Sequence, residues 1–463
     1  MTLARPTRPL SLPLAFLFLV LATACRDRPA PPTSPAAGAE RWPAETATPE
    51  RWVVDGDGGE WDGAAGVVRG RDAEGDAEGP LDVVAIAAKA EGRRLLLRLD
   101  IAGVANLYSG PRDGGTAVLQ LTSGNDRLEL DLRRRRLQRG DARIRLSDAG
   151  LWVAPAHAAR TFELSFDLRA LDWKPGARVT IALTEGDSVA PIEVLLPETP
   201  AAGPSELHLR KKPGGLRVAS FNTLEHGVLD FERGGAQRRL LAAMEPDVVL
   251  LQELGAVPAE QVARALDLPH GVGKQVNRVV GHSIVSRYPL TGLGGTPERF
   301  VAALVAGPTP VVAISVHLSC CGYLGSDQDD RRLKQARELA DFIRGVRAGQ
   351  VSGCPADVPV IVAGDFNDVG SPNLRAEVAA ASVRRIPLTH PRWPSAHTWG
   401  TRGAKYPASV LDLMFASPDA NWRRGFILDT AELTDAELAV LHLERRDSAT
   451  SDHRILVADF RPR

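Results

Sequence analysis

The run VPVIVAGDFNDVG, residues 358–370, drives an apolar stretch straight into Asp365, Asn367 and Asp368. The same construction recurs along the second half of the chain. LRVASFN ends in Asn222, DVVLLQE ends in Glu253, and VVAISVHLS delivers His317. VLDLMFAS carries Asp412, and SDHRILVADF opens with Asp452 and His453 ahead of a last apolar run. Strand ends are where a polar side chain leaves a core without breaking it, so convergence of these ends would assemble one acidic, histidine-bearing pocket. A Glu aided by Asn and Asp oxygens suits a hard cation such as Mg²⁺ better than zinc, because no His or Cys cluster has zinc spacing. A His with a carboxylate to orient it is a general-base pair, and Asp412 and His453 supply one. A second His, with Asn donors and a metal, suits neutralisation of charge on phosphoryl oxygens. The chemistry implied is hydrolysis of a phosphoester by an activated water.

Positioning such groups requires a packed sheet. The apolar runs alternate with helix-compatible stretches such as AQRRLLAAMEP and DDRRLKQARELADFIRGVR, which predicts an α/β region. At 463 residues the chain exceeds one ordinary core. Its 44% hydrophobic and 24% charged content excludes wholesale disorder. With 56 Lys+Arg against 57 Asp+Glu there is no global basic field for nucleic acid, and the balance persists beyond residue 200.

The ordered set ASFN, LLQE, SVHL, AGDFN, LDLMF and SDH resembles the endonuclease/exonuclease/phosphatase superfamily over residues 216–463. The resemblance implies a four-layer α/β/β/α sandwich and Mg²⁺- or Mn²⁺-dependent hydrolysis of phosphodiesters or phosphomonoesters. It also implies roles: Glu253 as principal metal ligand with Asn222 beside it and Asp452 near the metal. Asp365 and Asn367 would position nucleophile and phosphate. His453 would be the base oriented by Asp412, and His317 would contact the phosphate. In SAHTWG, His397 and Trp399 resemble a family segment near the substrate mouth and are candidate substrate contacts. Asp368 lies outside the pattern and reads as a turn cap. His226, His282 and His390 read as surface or structural.

Residues 52–197 show short alternating runs, among them RLLLRLDIA, TAVLQLTS and TFELSFDL, separated by Gly, Asp and Asn. Period-two alternation with frequent turns predicts an all-β sandwich ahead of the catalytic region. The stretch VVDGDGGEWDGA resembles carbohydrate-binding modules of secreted enzymes, which implies a carbohydrate or envelope ligand. Trp61, Trp152 and Trp173 are read first as core, and Arg133 to Arg136 as a solvated hairpin strand. Residues 198–215 form a linker, and residues 216–463 are expected to fold and hydrolyse small phosphodiesters alone.

The N-terminus is an address. Arg5 and Arg8 precede LSLPLAFLFLVLA, too short to span a bilayer comfortably, and ATAC follows at residues 22–25. It resembles a bacterial lipoprotein signal, implying cleavage before Cys25 and a lipid anchor there, although Ala22 stands where Leu is usual; a plain secretory signal is the alternative. Residues 26–51 read as a Pro/Ala-rich tether. An exported, envelope-anchored chain is expected, and in an oxidising compartment Cys354 is expected to bridge to Cys320 or Cys321. A Cys320–Cys321 vicinal bridge and a three-thiol soft-metal site compete with that pairing. Two functional alternatives stand beside a phosphodiesterase: a surface-anchored binding protein with a silent second domain, and a secreted nuclease.

Overall fold

Strands covered on both faces read as near-continuous apolar runs, and the C-terminal region is built from them. The computed structural model describes residues 52–461 except 78–80, 109–114, 188, 199–206, 208, 212, 278–279, 393–394 and 402. The signal segment with Cys25, the tether and most of the linker lie outside the described residues. Among the described residues no helix is long and apolar enough to cross a membrane. Residues 50–463 form one compact unit.

Two six-stranded sheets form the C-terminal region. In the first, Val248–Gln252 and Leu216–Asn222 run parallel at its centre, and Ile455–Phe460 pairs antiparallel with Leu216–Asn222. In the second, Val311–His317 and Val360–Asp365 run parallel, and Asp412–Ala416 pairs antiparallel with the latter. Alternation sorts each strand's residues between layers. Val218, Val248 and Leu250 face the core shared with Val312, Ile314 and Val362 of the other sheet. Their sequence neighbours Ala219, Val249 and Leu251 instead meet Leu240, Leu241 and Val262 of helices Gly234–Met244 and Ala259–Ala265. Helices Asp327–Arg347 and Pro372–Ala379 pack on the second sheet through Leu339, Ile343 and Leu374, completing an α/β/β/α sandwich. The long helix starts where Ser326 Oγ accepts from Asp329 N at 3.3 Å, with acidic residues in its first turn and Arg344 and Arg347 in its last.

Ahead of this region lie two wholly antiparallel sheets of five and six strands. Leu95, Leu97, Phe162 and Leu164 of one and Leu119, Leu121, Leu128 and Ile181 of the other close a separate core, an all-β sandwich. The three tryptophans are buried. Trp61 donates to Glu163 Oε1 at 2.6 Å and Trp173 to Asp126 Oδ2 at 2.6 Å, so packing accounts for both. Arg133 to Arg136 do not form the expected solvated strand. Arg133, Arg134 and Arg135 make the turn before strand Arg136–Arg139, and buried Arg133 donates to the Asn106 carbonyl at 2.5 Å.

The expected Cys354 bridge does not form: Cys320, Cys321 and Cys354 are all free thiols. The reason is topological. Val311–His317 and Val360–Asp365 are parallel, so Cys320 follows the end of one strand while Cys354 precedes the start of the next. Between them runs a helix of 21 residues, about 30 Å long at 1.5 Å per residue, against a Cα separation below about 7 Å for a disulfide.

Candidate active site

Strand register brings the sequence-predicted residues into one row. Across the second sheet His317 lies opposite Asp365, and Asp365 opposite Asp412. Across the first, Asn222 lies opposite Gln252, which places Glu253 just beyond it. Gly364 makes the row possible: a Cβ there would lie 2.0 Å from the Val316 carbonyl oxygen of the adjacent strand. Glu253 and Asn367 adopt positive φ, 61° and 48°, as do three consecutive residues, Leu224, Glu225 and His226, after Asn222. Left-handed backbone at non-glycine positions is uncommon and collects at functional sites.

Asp365 is the hub. Its Oδ2 accepts from Asn222 Nδ2 at 3.0 Å and lies 3.6 Å from His317 Nε2 and 3.7 Å from His453 Nε2. Its Oδ1 accepts from the Asn367 amide at 2.8 Å. His453 Nδ1 meets Asp412 Oδ2 at 2.8 Å, leaving Nε2 directed at Asp365. Glu253 Oε1 accepts from Asn222 Nδ2 at 3.0 Å and lies 3.9 Å from His317 Nε2. Asn222 thus lies against both Glu253 and Asp365. Its amide nitrogen bridges two carboxylates, while its Oδ1 turns away to accept from Leu224 N at 3.1 Å.

Charge in this cluster is unbalanced. Burial, reinforced by the carboxylates of Asp412 and Glu253 against the pull of His453, pushes the Asp365 carboxyl up to about 7. Burial works against a charged His453, yet Asp412 and Asp365 outweigh it and raise the imidazole to about 10. Burial, with His282 and His453 adding, lowers His317 to about 3 and keeps it neutral. These are hard oxygens in excess of fixed positive charge, with no thiol among them, and the buried Asp452 Oδ1 has no hydrogen-bond partner. That donor set fits a hard divalent cation, with Glu253 and Asp365 in one cluster and Asp452 Oδ1 4.0 Å from His453 Nε2 beside it.

The candidate substrate contacts fare differently. His397 is buried, its ring stacked on His390 (centroids 4.1 Å apart) and on Trp152 (4.6 Å), with Nδ1 on Ser395 Oγ at 2.8 Å. Its ring packs against its neighbours. Trp399 donates Nε1 to Asp452 Oδ2 at 3.0 Å, so it orients a site carboxylate. Asp368 caps its turn, accepting from Gly370 N at 2.8 Å and from Arg375 Nε at 2.5 Å. Sequence reasoning missed two supports, Thr398 and Ser451. Thr398 Oγ1 accepts from the Asp412 amide at 2.9 Å, and Ser451 Oγ ties the His453 amide to the Asn222 carbonyl. His282, fully buried, sets its ring edge-on to His317 with centroids 6.2 Å apart. Only Ser451 had a signal, its place two residues before His453.

The family model for the endonuclease/exonuclease/phosphatase family matches residues 219–453. The chain belongs to this family. Its members' name spans nucleases and phosphatases, so the site is that of a phosphoester hydrolase. Among solved structures, the 3′ phosphatase NExo from Neisseria is 21% identical over 53% of this chain and 99% of its own, with a TM-score of 0.40. An AP endonuclease from Archaeoglobus fulgidus is 17% identical over 53% and 99% of the two chains, with a TM-score of 0.38. A humanised D. rerio TDP2 is 19% identical over the same shares, 53% and 99%, with a TM-score of 0.37. No curated protein matches the chain.

Proposed function

We propose that the protein is a phosphodiesterase that requires Mg²⁺ or Mn²⁺ and cleaves its substrate with an activated water. One observation carries the reading: a His453–Asp412 pair at 2.8 Å directs its Nε2 at Asp365, inside a cluster of carboxylate oxygens of the kind that holds a hard cation. Glu253, Asp365 and Asp452 would hold the metal. When bound, it supplies polarisation of the phosphoryl oxygens and offsets charge that builds on them.

The chain's own groups do the rest. Asp412 fixes the tautomer of His453, so that Nε2 is the nitrogen that takes a proton from water as the water oxygen attacks phosphorus. With the carboxylate charge engaged by a cation, less charge holds the imidazolium, and the neutral base becomes available. His317, held neutral, offers its Nε2 to a phosphoryl oxygen. Asn367, anchored by its Nδ2 to the Leu318 carbonyl at 3.1 Å, keeps the Asp365 turn closed. Asn222 spaces Glu253 and Asp365. The ester P–O bond breaks and the leaving oxygen takes the proton.

The substrate class is tested with a panel of bis(4-nitrophenyl) phosphate, a 4-nitrophenyl monoester, plasmid DNA, RNA and sphingomyelin. Turnover of the aryl diester that stops with EDTA and returns with Mg²⁺ or Mn²⁺ supports the reading. Metal-independent turnover, or binding without turnover, overturns it. Attachment by lipid at Cys25 belongs to the same proposal; mass spectrometry of the membrane-extracted chain should detect a diacylglyceryl adduct on an N-terminal Cys25, and a chain lacking it would refute the anchor.

A further inference from the structure

Two loops carry the site's most demanding geometry, residues 366–370 after Asp365 and residues 395–409 before Asp412. Both are bonded backbone to backbone to one short segment of the N-terminal sandwich, residues 152–158. His157 N and Ala158 N both donate to the Val369 carbonyl, at 3.0 and 2.8 Å. Gly370 sits under this segment at φ +89°, where a Cβ would lie 2.3 Å from the Ala158 carbonyl and 2.7 Å from Pro155 Cβ. On the other loop, Val153 N donates to the Ala408 carbonyl at 2.9 Å and Ser409 Oγ to the Val153 carbonyl at 2.6 Å.

From there the contacts run unbroken to the catalytic groups. Ser409 exchanges backbone hydrogen bonds with Trp399, each at 2.9 Å. Trp399 holds Asp452 through its indole, Gly400 N donates to the Asp452 carbonyl at 2.9 Å, and Thr398 holds the Asp412 amide. Thr398 also accepts from Arg454 N at 2.7 Å, next to His453. Side chains lock the junction. The buried Arg94 guanidinium lies 3.2 Å from the Trp152 ring centroid, and Trp152 stacks on His397, the residue before Thr398. His390 and His397 with Glu432 are close enough to suggest a metal site, but the two rings are 17° from parallel at 4.1 Å. An ion lies in the plane of each imidazole that binds it, and these stacked planes do not meet near their nitrogens. The cluster therefore reads as packing.

We propose that residues 152–158 are a positioning element of the hydrolytic site, with Trp152 as its key side chain. The sandwich is then a clamp on Asp365, Asp412 and Asp452 and not a detachable binding module, which revises the expectation that residues 216–463 act alone. The activity arm of the test rests on the hydrolase reading; the exchange arm does not.

The test uses the full chain with Trp152→Ala, Trp152→Phe and Trp173→Phe, the last an equally buried tryptophan whose indole meets Asp126. Hydrogen exchange at the Thr398, Trp399, Ser409 and Asp412 amides is measured beside kcat and KM for bis(4-nitrophenyl) phosphate, below each variant's melting temperature. Trp152→Ala should speed exchange at these four amides and lower kcat by about 10- to 100-fold, the cost of a small misplacement of reacting groups, with KM changed less than about twofold. Trp152→Phe keeps a flat ring on His397 and should restore most of both. Trp173→Phe should lower only the melting temperature. A folded Trp152→Ala chain with unchanged exchange and kcat overturns the proposal. If that chain does not fold, Gly370→Ala decides by the same readouts at residues 366–370: faster exchange with lower kcat supports the clamp, and neither change rejects it. If the wild type hydrolyses nothing, the functional reading fails and exchange alone decides the clamp.

Discussion

At the residue scale the site is organised around Asp365 Oδ2, which Asn222, His317 and His453 approach together. These residues were legible because each breaks an apolar run at its end, where burial leaves a polar group no other use. Their supports were not. Thr398 and Ser451 act through contacts between loops distant in sequence, and a hydroxyl in a loop carries no periodic signal. Asp412 meets His453 at 2.8 Å, and its charge both orients the ring and supports the imidazolium formed in turnover. Asp412→Asn should therefore lower kcat by roughly 10²–10⁴-fold while leaving KM and the far-ultraviolet dichroism near wild type. A kcat within about threefold would show that His453 does not depend on this partner.

At the scale of elements, strand order and direction decide what meets what. Alternation of inward and outward residues made the all-β sandwich readable and apolar runs between helix-like stretches the α/β region, while strand pairing, parallel for His317 and Asp365 and antiparallel for Asp365 and Asp412, put the three in register. Parallel pairing was also where the cysteine expectation failed, because it sends the end of one strand and the start of the next to opposite edges of the sheet. Gly364 tests this register. A methyl placed there meets the Val316 backbone, which has no flexible end to move. Gly364→Ala should cost about 2–3 kcal/mol of stability in urea unfolding and reduce activity in proportion to the displaced Asp365. Wild-type stability would contradict the strand spacing. A tight approach of backbone to backbone leaves only a glycine in the sequence, and nothing separates that glycine from the chain's many others.

At the scale of the whole molecule the two regions share a buried seam next to the site, which neither the linker composition nor the alternating strands announced. His157 lies in it, buried against the rings of Tyr108 and Tyr323 and facing Arg135, Arg133 and Arg332. Burial, with the charge of Arg135 next, lowers its imidazole to about 4. The folded chain thus keeps His157 neutral where an unfolded chain, with an ordinary value near 6.5, takes up a proton. Stability from this group is complete above about pH 6.5, falls as pH drops toward 4, and in full amounts to about 3 kcal/mol. The urea midpoint should accordingly fall more steeply between pH 7 and 4.5 in wild type than in His157→Phe, and parallel curves would place His157 in water. The central claim is that one site, His453 oriented by Asp412 among metal-binding carboxylates, hydrolyses phosphoesters. Its most direct measurement is kcat/KM for bis(4-nitrophenyl) phosphate with saturating Mn²⁺, comparing wild type with His453→Ala. The account predicts a loss of about 10²–10⁴-fold with the fold intact; turnover by His453→Ala within about twofold of wild type would contradict it.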